Sequence, residues 1–318
     1  MSTLQVWVHT LRHEAQDIIG IELRPKAGEN LPPFEAGAHI DLHLPGGLVR
    51  SYSLANDSRE RHRYVLGVLK DKASRGGSRS VHEQLRIGMT LTISMPRNNF
   101  PLQEGASHSV LIAGGIGVTP ILSMAKRLKA LNASFEVIYL ARSRQAAAFT
   151  EELANLHTPT HWHFDDEAGG PPDLRALLAN RTPLANTHYY ACGPAAMLNV
   201  FEQSCSDLGY ALAHIERFTA VQTQAATDSR TQFTVELRKS GKTFDVTPDT
   251  SLHKKLIEIK ANVPFSCEEG ICGSCETRVL EGTPDHRDMV LSSAEQASNQ
   301  AMMVCVSGCK SERLVLDL

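Results

Sequence analysis

Cys267-Glu268-Glu269-Gly270-Ile271-Cys272-Gly273-Ser274-Cys275 sets three cysteines at C-x4-C-x2-C spacing, and Cys305 follows after a 29-residue gap. This is the ligand spacing of a plant-type [2Fe–2S] centre, in which each iron takes two thiolates. A short loop can supply three of the four only if its backbone wraps closely around the inorganic sulfides. Gly270 and Gly273 give it that freedom, because glycine reaches left-handed conformations without steric cost. The competing readings are a structural zinc site and a set of inert buried thiols. Zinc sites usually carry two C-x2-C pairs or a Cys/His mixture. Here there is one such pair, and Cys305-x3-Cys309 is not a second. The spacing therefore favours Cys267, Cys272, Cys275 and Cys305 as cluster ligands.

Around this loop, residues 232–318 read as a small α+β unit, with strands at Phe233–Arg238, Lys242–Val246 and Ser274–Leu280 and a helix at Leu252–Ile259. Residues 219–231 are small and polar without periodicity, which marks a linker. Residues 1–103 read as all-β. Leu4–Val8 and His39–Leu44 alternate, and Ile18–Leu23, Tyr64–Leu69 and Met89–Ile93 are further short strands between Gly, Pro and Asp turns. Such spacing predicts an antiparallel barrel or sandwich. Residues 104–218 alternate strand and helix: Val110–Ala113, Phe135–Leu140, His161–Phe164 and His188–Cys192 against Ile121–Leu131, Ala147–His157, Leu174–Leu178 and Ala195–Leu208. That rhythm predicts a parallel α/β sheet with helices on both faces.

Composition narrows the function. A net charge of −3 over 318 residues implies no basic face for nucleic acid. No apolar run approaches the ~20 residues that cross a bilayer, and Met1–Gln5 lacks the basic and apolar regions of a secretory leader. With four cysteines on a cluster, Cys192, Cys205 and Cys309 remain as thiols, as expected in the cytoplasm.

Three further stretches carry candidate chemistry. Arg50-Ser51-Tyr52-Ser53 lies on a strand, where Arg suits a phosphate and Tyr a planar ring system. Gly76-Gly77-Ser78-Arg79-Ser80 precedes a short helix and forms a natural anion cradle. Together they could hold a flavin; an ordinary surface strand and a flexible turn are the plainer readings. Gly114-Gly115-Ile116-Gly117-Val118-Thr119-Pro120 follows a buried strand and could seat a pyrophosphate at a helix N-terminus, although it is not the G-x-G-x-x-G fingerprint. Cys192-Gly193-Pro194 ends another strand, at the edge where open α/β sheets bind ligands. Buried free cysteines such as Cys192 also serve simply as small hydrophobes. In order, the three sites make one circuit. A nicotinamide gives up two electrons at once, an iron–sulfur centre takes one, and a flavin does both and must lie between them.

These motifs together resemble, over essentially the whole chain, the class IA reductases of Rieske oxygenase systems, the group of phthalate dioxygenase reductase and vanillate O-demethylase reductase. Arg50-Ser51-Tyr52-Ser53 and Gly76-Gly77-Ser78 match that family's flavin motifs, and Gly114–Pro120 with Cys192-Gly193-Pro194 match its nicotinamide side. Glu216-Arg217-Phe218 resembles its E-x-F, whose aromatic lies near the flavin. The C-terminal position of the cluster unit is also that family's. The resemblance implies an antiparallel β-barrel flavin domain (1–103), a ferredoxin-reductase-like parallel-sheet nucleotide domain (104–218), a linker (219–231) and a plant-type [2Fe–2S] ferredoxin domain (232–318). It implies FMN held by Arg50, Ser51, Tyr52, Ser53, Gly76, Gly77, Ser78 and Ser80 with Phe218 near it. It implies NADH on Gly114, Gly115, Gly117, Thr119, Pro120, Arg142, Cys192, Gly193 and Pro194, with Ser53 and Cys192 at the reacting centre. Arg142-Ser143-Arg144 stands where NADH-specific members often keep an acidic residue, so NADPH stays open. The implied acceptor is a terminal Rieske-type oxygenase in aromatic catabolism, and the implied protein is a monomer. A reductase for a non-oxygenase acceptor and an iron–sulfur redox sensor are the alternatives.

Overall fold

The structure, a computed structural model, describes residues 3–72, 75–181, 185–219 and 232–318. The expected linker lies outside the described residues except for Thr219. The chain divides into two compact units, 1–218 and 219–318.

The first unit begins with six antiparallel strands: β1 (Thr3–Ala15), β2 (Ile18–Arg24), β3 (His39–His43), β4 (Val49–Ser53), β5 (Tyr64–Leu69) and β6 (Thr90–Ser94). Their order is β4-β3-β6-β1-β2-β5. The two outer strands meet, because Leu54 bridges Leu66 and the Ala55 N–H donates to the Val65 carbonyl at 2.8 Å. The sheet therefore closes as a barrel, which leaves no open edge. Alternate residues point inward, as the period of a strand requires: Val6, Val8, Ile21, Leu23, Ile40, Leu42, Leu66, Val68, Leu91 and Ile93 fill the interior. Helix α1 (Gly77–Gln84) joins this core through Val81.

The parallel layer follows: β7 (His108–Gly114), α2 (Val118–Ala130), β8 (Phe135–Ala141), α3 (Thr150–Ala154), β9 (Thr160–Phe164), α4 (Asp165–Ala168), α5 (Leu174–Ala179), β10 (Thr187–Cys192), α6 (Ala195–Leu208) and β11 (Ala213–Glu216). The order is β11-β10-β7-β8-β9, with every neighbouring pair parallel. The strands are apolar on both faces, as buried parallel strands are. Leu111, Ala113, Val137 and Tyr139 face α2 on one side. Val110, Ile112, Ile138 and Leu140 face α5 and α6 on the other. The first of these cores also takes in Ala15, Ile18, Ala36, Ala55 and Phe100 from the barrel side, so barrel and parallel layer share buried surface.

Two elements differ from the sequence expectation. The helix predicted over Ala147–His157 shrinks to Thr150–Ala154, because Ala147, Ala148 and Phe149 are drawn into the core and Phe149 turns at φ 56°. Packing outweighs the high helix propensity of alanine there. Strand β11 was not expected; it pairs with β10 along Ala213–Glu216.

The second unit contains β12 (Phe233–Leu237), β13 (Lys242–Val246), α7 (Leu252–Glu258), β14 (Glu276–Glu281), β15 (Pro284–Asp285), α8 (Ser293–Ser298), β16 (Ala301–Met303), β17 (Gly308–Cys309) and β18 (Arg313–Leu316). Five strands form a mixed sheet in the order β13-β12-β18-β14-β16, and β15 pairs with β17. Leu252 and Leu256 of α7 enter its core with Val235, Leu237, Met302, Met303 and Leu316. The cysteine loop connects α7 to β14. Among the described residues no helix is long and apolar enough to cross a membrane.

Candidate active site and cluster loop

In the parallel layer the chain moves outward from β7 to β8 and β9, then returns to place β10 on the other side of β7. The crevice between β7 and β10 is the point where strand order reverses, where open α/β sheets bind ligands. Both nucleotide stretches predicted from sequence end there, since Ala113 pairs with Cys192. Their glycines are needed for close approach. A Cβ on Gly117 would lie 2.1 Å from the Cys192 carbonyl oxygen, and one on Gly193 would lie 2.9 Å from the Gly114 Cα. Pro194 lies against Gly114. Gly115 sits at φ 53° with open space beside it. Thr119 is buried and its hydroxyl donates to the Ile116 carbonyl at 3.1 Å. Pro120, in the first turn of α2, removes no needed N–H. Arg142 is exposed just past β8.

The barrel meets this crevice at Ser53. The Ser53 hydroxyl donates to Glu216 Oε2 at 3.2 Å, and the Cys192 thiol donates to the same oxygen at 4.0 Å. Glu216 pairs with Cys192 across β10 and β11. Part of the residue is exposed, but its carboxyl lies inside; burial pushes it up to about 8, and the Ser53 hydrogen bond opposes that only partly. Burial, then the neighbouring Glu216, pushes the Cys192 thiol well up. The resemblance implies Ser53 and Cys192 at the reacting centre, and the structure adds Glu216 beside them. The available signal was its place in Glu216-Arg217-Phe218. Phe218 packs against the core shared by barrel and parallel layer.

The two stretches read as a flavin site also come together. A Cβ on Gly77 would lie 2.5 Å from Arg50 Cγ, so the Arg50 side chain lies directly on the first turn of α1. Arg50 donates to the carbonyls of Val49 at 2.7 Å and Arg75 at 3.2 Å. Gly76 caps α1 at φ 93°, a conformation that favours glycine. A cation held over the start of a helix fits a phosphate. Ser80 is buried, with its hydroxyl donating to Gln84 at 3.0 Å, and Ser78 Oγ accepts the Asp71 N–H at 3.2 Å. The Ser51 hydroxyl turns to Asp41 at 2.6 Å, so its side chain serves the barrel. Burial pushes the Tyr52 phenol up to about 12 against the pull of Arg50.

In the second unit the four predicted ligand thiols stand as two contacting pairs, Cys267 with Cys272 and Cys275 with Cys305. Two pairs suit two irons, each with two thiolates. The hydrogen bond from Cys267, helped by Ser274, draws the Cys272 thiol well below the usual thiol range. The Glu269 N–H points at Cys267 Sγ, 3.3 Å away. Gly270 at φ 71° and Gly273 at φ 73° supply the turns. A Cβ on Gly270 would lie 2.7 Å from Val306 Cγ2 and 3.1 Å from Asp288 Cα. That contact brings the segment carrying Cys305 back onto the loop.

Residues 235–310 match the 2Fe-2S iron-sulfur cluster binding domain. Residues 90–215 match the N-terminal domain of dimethylamine monooxygenase subunit DmmA-like proteins. The chain is 46% identical over 323 residues to the vanillate O-demethylase oxidoreductase of Pseudomonas sp. (strain HR199), covering 99% of this chain and 100% of that protein. It is 45% identical over 324 residues to the tetrachlorobenzoquinone reductase of Sphingobium chlorophenolicum, covering 100% and 99%. The solved phthalate dioxygenase reductase, described as a modular structure for electron transfer from pyridine nucleotides to [2Fe–2S], is 39% identical with a TM-score of 0.73 over 100% of this chain and 98% of that one. An intact type IV self-sufficient cytochrome P450 monooxygenase matches with a TM-score of 0.90 at 37% identity over 99% of this chain, which spans only 41% of that longer protein. The chain belongs to the oxidoreductase family of vanillate O-demethylase oxidoreductase and phthalate dioxygenase reductase.

Proposed function

We infer that this protein is the reductase component of an oxygenase system: an iron–sulfur flavoprotein that takes electrons from NADH and delivers them singly to a terminal Rieske-type oxygenase in aromatic catabolism. The observation that carries the reading is the meeting of Ser53 from the barrel with Cys192 and Glu216 from the parallel sheet at the reversal point of strand order. Bound FMN would supply two-electron uptake from NADH and one-electron release, and a [2Fe–2S] cluster would supply one-electron transfer. The chain's own work is placement. Arg50 and the Gly76-Gly77 turn would hold the phosphate, and Tyr52, which packs against the barrel core, and Ser53 would hold the ring system. Gly114, Gly115, Gly117, Thr119 and Pro120 leave room for the pyrophosphate, and Cys192, Gly193 and Pro194 shape the nicotinamide end. Phe218, packed against the shared core, would lie near the flavin. Glu216, protonated below about pH 8, holds the Ser53 hydroxyl in position without placing a buried negative charge beside the cofactors. Cys267 and Cys272 would hold one iron, Cys275 and Cys305 the other.

All seven cysteines are outside disulfides, which suits a protein acting in the reducing cytoplasm; we take it to act as a monomer. The test is turnover of the FMN-loaded, cluster-loaded protein with NADH, first with ferricyanide and then with a Rieske oxygenase. Ferricyanide reduction without transfer to any such oxygenase would remove the partner assignment. One specific observation favours a second reading: the relative named for tetrachlorobenzoquinone is as similar as the one named for vanillate demethylation. A quinone acceptor would show as quinone turnover that survives loss of the cluster.

A further inference from the structure

Arg144 stands just past the C-terminal end of β8. That strand lies beside β7, the one carrying the glycine turn, with Gly114 paired to Leu140. In an open α/β fold the end of this neighbouring strand is where the adenosine ribose rests. An acidic residue there selects the 2′-hydroxyl, and an arginine accommodates a 2′-phosphate. The sequence offers Arg142-Ser143-Arg144 at this place and no acid, a pattern that by itself favours the phosphorylated cofactor.

The structure supplies the acid from the next strand. Glu167, on α4 after β9, grips Arg144 with both oxygens: Nε to Oε1 at 2.6 Å and Nη2 to Oε2 at 3.1 Å. The Arg144 guanidinium also lies over the Phe164 ring, 4.4 Å from its centre. The Asp166 N–H donates to the Arg142 carbonyl at 3.1 Å, which ties the start of α4 to the exit of β8. A bidentate carboxylate uses the same planar fork of donors that would bind a phosphate.

We propose that Glu167 is a specificity-determining residue, which occupies the Arg144 fork and so withholds it from the 2′-phosphate of NADPH. The proposal rests on the function inferred above, since it needs the crevice to take a pyridine nucleotide. NADH, with a 2′-hydroxyl, asks nothing of Arg144 and meets no penalty from the paired Glu167. NADPH must break the ion pair and bring a dianion close to a carboxylate.

The experiment compares the holoenzyme with Glu167→Gln, Arg144→Ala and the double variant. One readout is kcat/KM for NADH and NADPH with ferricyanide. The other is calorimetric binding of 2′,5′-ADP and of ADP, which needs no turnover. Exposed ion pairs of this kind govern effects of up to about fivefold. Glu167→Gln is expected to raise kcat/KM for NADPH and affinity for 2′,5′-ADP by about two- to fivefold, with NADH and ADP changed less than that. Adding Arg144→Ala should cancel the gain. An unchanged NADPH-to-NADH ratio and unchanged 2′,5′-ADP affinity in Glu167→Gln would overturn the proposal, as would a gain that survives Arg144→Ala. Failure of the unmodified holoenzyme to oxidise either nucleotide would instead overturn the function on which it rests.

Discussion

Replacing Gly77 by alanine separates a binding role from a structural one. An ideal Cβ at Gly77 would sit 2.5 Å from Arg50 Cγ, 2.6 Å from Nε and 2.9 Å from Cδ. No side chain tolerates such contacts, but Arg50 is long and can swing away. In doing so it leaves the carbonyls of Val49 and Arg75 and the start of α1. Alanine suits a helix better than glycine by up to about 1 kcal/mol, so the apoprotein should melt at the same temperature or higher. Binding should move the other way. A hydrogen bond to a charged group contributes about 1.5–3 kcal/mol, so displacing Arg50 from the phosphate should weaken FMN by roughly 10- to 150-fold. The assay is quenching of flavin fluorescence by apoprotein, run beside a thermal melt. In an Arg50→Ala background the same change should cost nothing further. FMN affinity within twofold of the unmodified protein would refute the phosphate role of Arg50. A large fall in melting temperature would show that the clash is not relieved by Arg50 moving.

Other perturbations reach the remaining parts. Glu216 is raised in the folded state from 4.5 to about 8. The folded protein therefore holds a proton that the unfolded chain releases, and this contribution is full below pH 4.5 and lost as pH rises to about 8. It amounts to roughly 5 kcal/mol across that window. Glu216→Gln should flatten the decline in apoprotein melting temperature between pH 5.5 and 8.5, and an unchanged slope would place the carboxyl in water. Gly117→Ala meets the Cys192 carbonyl at 2.1 Å, a backbone atom that cannot step aside. It should destabilise by about 1–3 kcal/mol and weaken nucleotide binding, and normal melting with normal NADH turnover would contradict the close approach of β7 and β10. Cys272→Ser should keep NADH-to-ferricyanide activity and abolish reduction of the protein acceptor; survival of both would take the cluster off the path.

The barrel was legible because its strands alternate over a closed sheet, so that Val6, Ile21, Ile40, Leu66 and Ile93 each show the same period. The parallel layer was legible because its strands are apolar throughout and bounded by glycine turns. What escaped was short or set by distant contacts. Strands β15 to β18 span two to four residues each, too few to show a period. Helix α8 does carry a readable signal, since Ser292 and Glu295 form a reciprocal capping box. In the candidate site the glycines and cysteines announced themselves by spacing. Glu216 stood in a readable motif, Glu216-Arg217-Phe218, but its carboxylate role shows only once Ser53 and Cys192 are seen around it. Glu167 was hidden for the same reason: 23 positions separate it from Arg144, and only the adjacency of β8 and β9 brings them together.

The most direct measurement of the central claim is the visible spectrum of the pure protein, taken anaerobically before and after stoichiometric NADH. Flavin bands over broad iron–sulfur absorption are expected, with both bleaching promptly. Iron–sulfur absorption that persists while the flavin bleaches would contradict a path through the cluster, and its absence, with zinc found in place of iron, would contradict the assignment of Cys267, Cys272, Cys275 and Cys305.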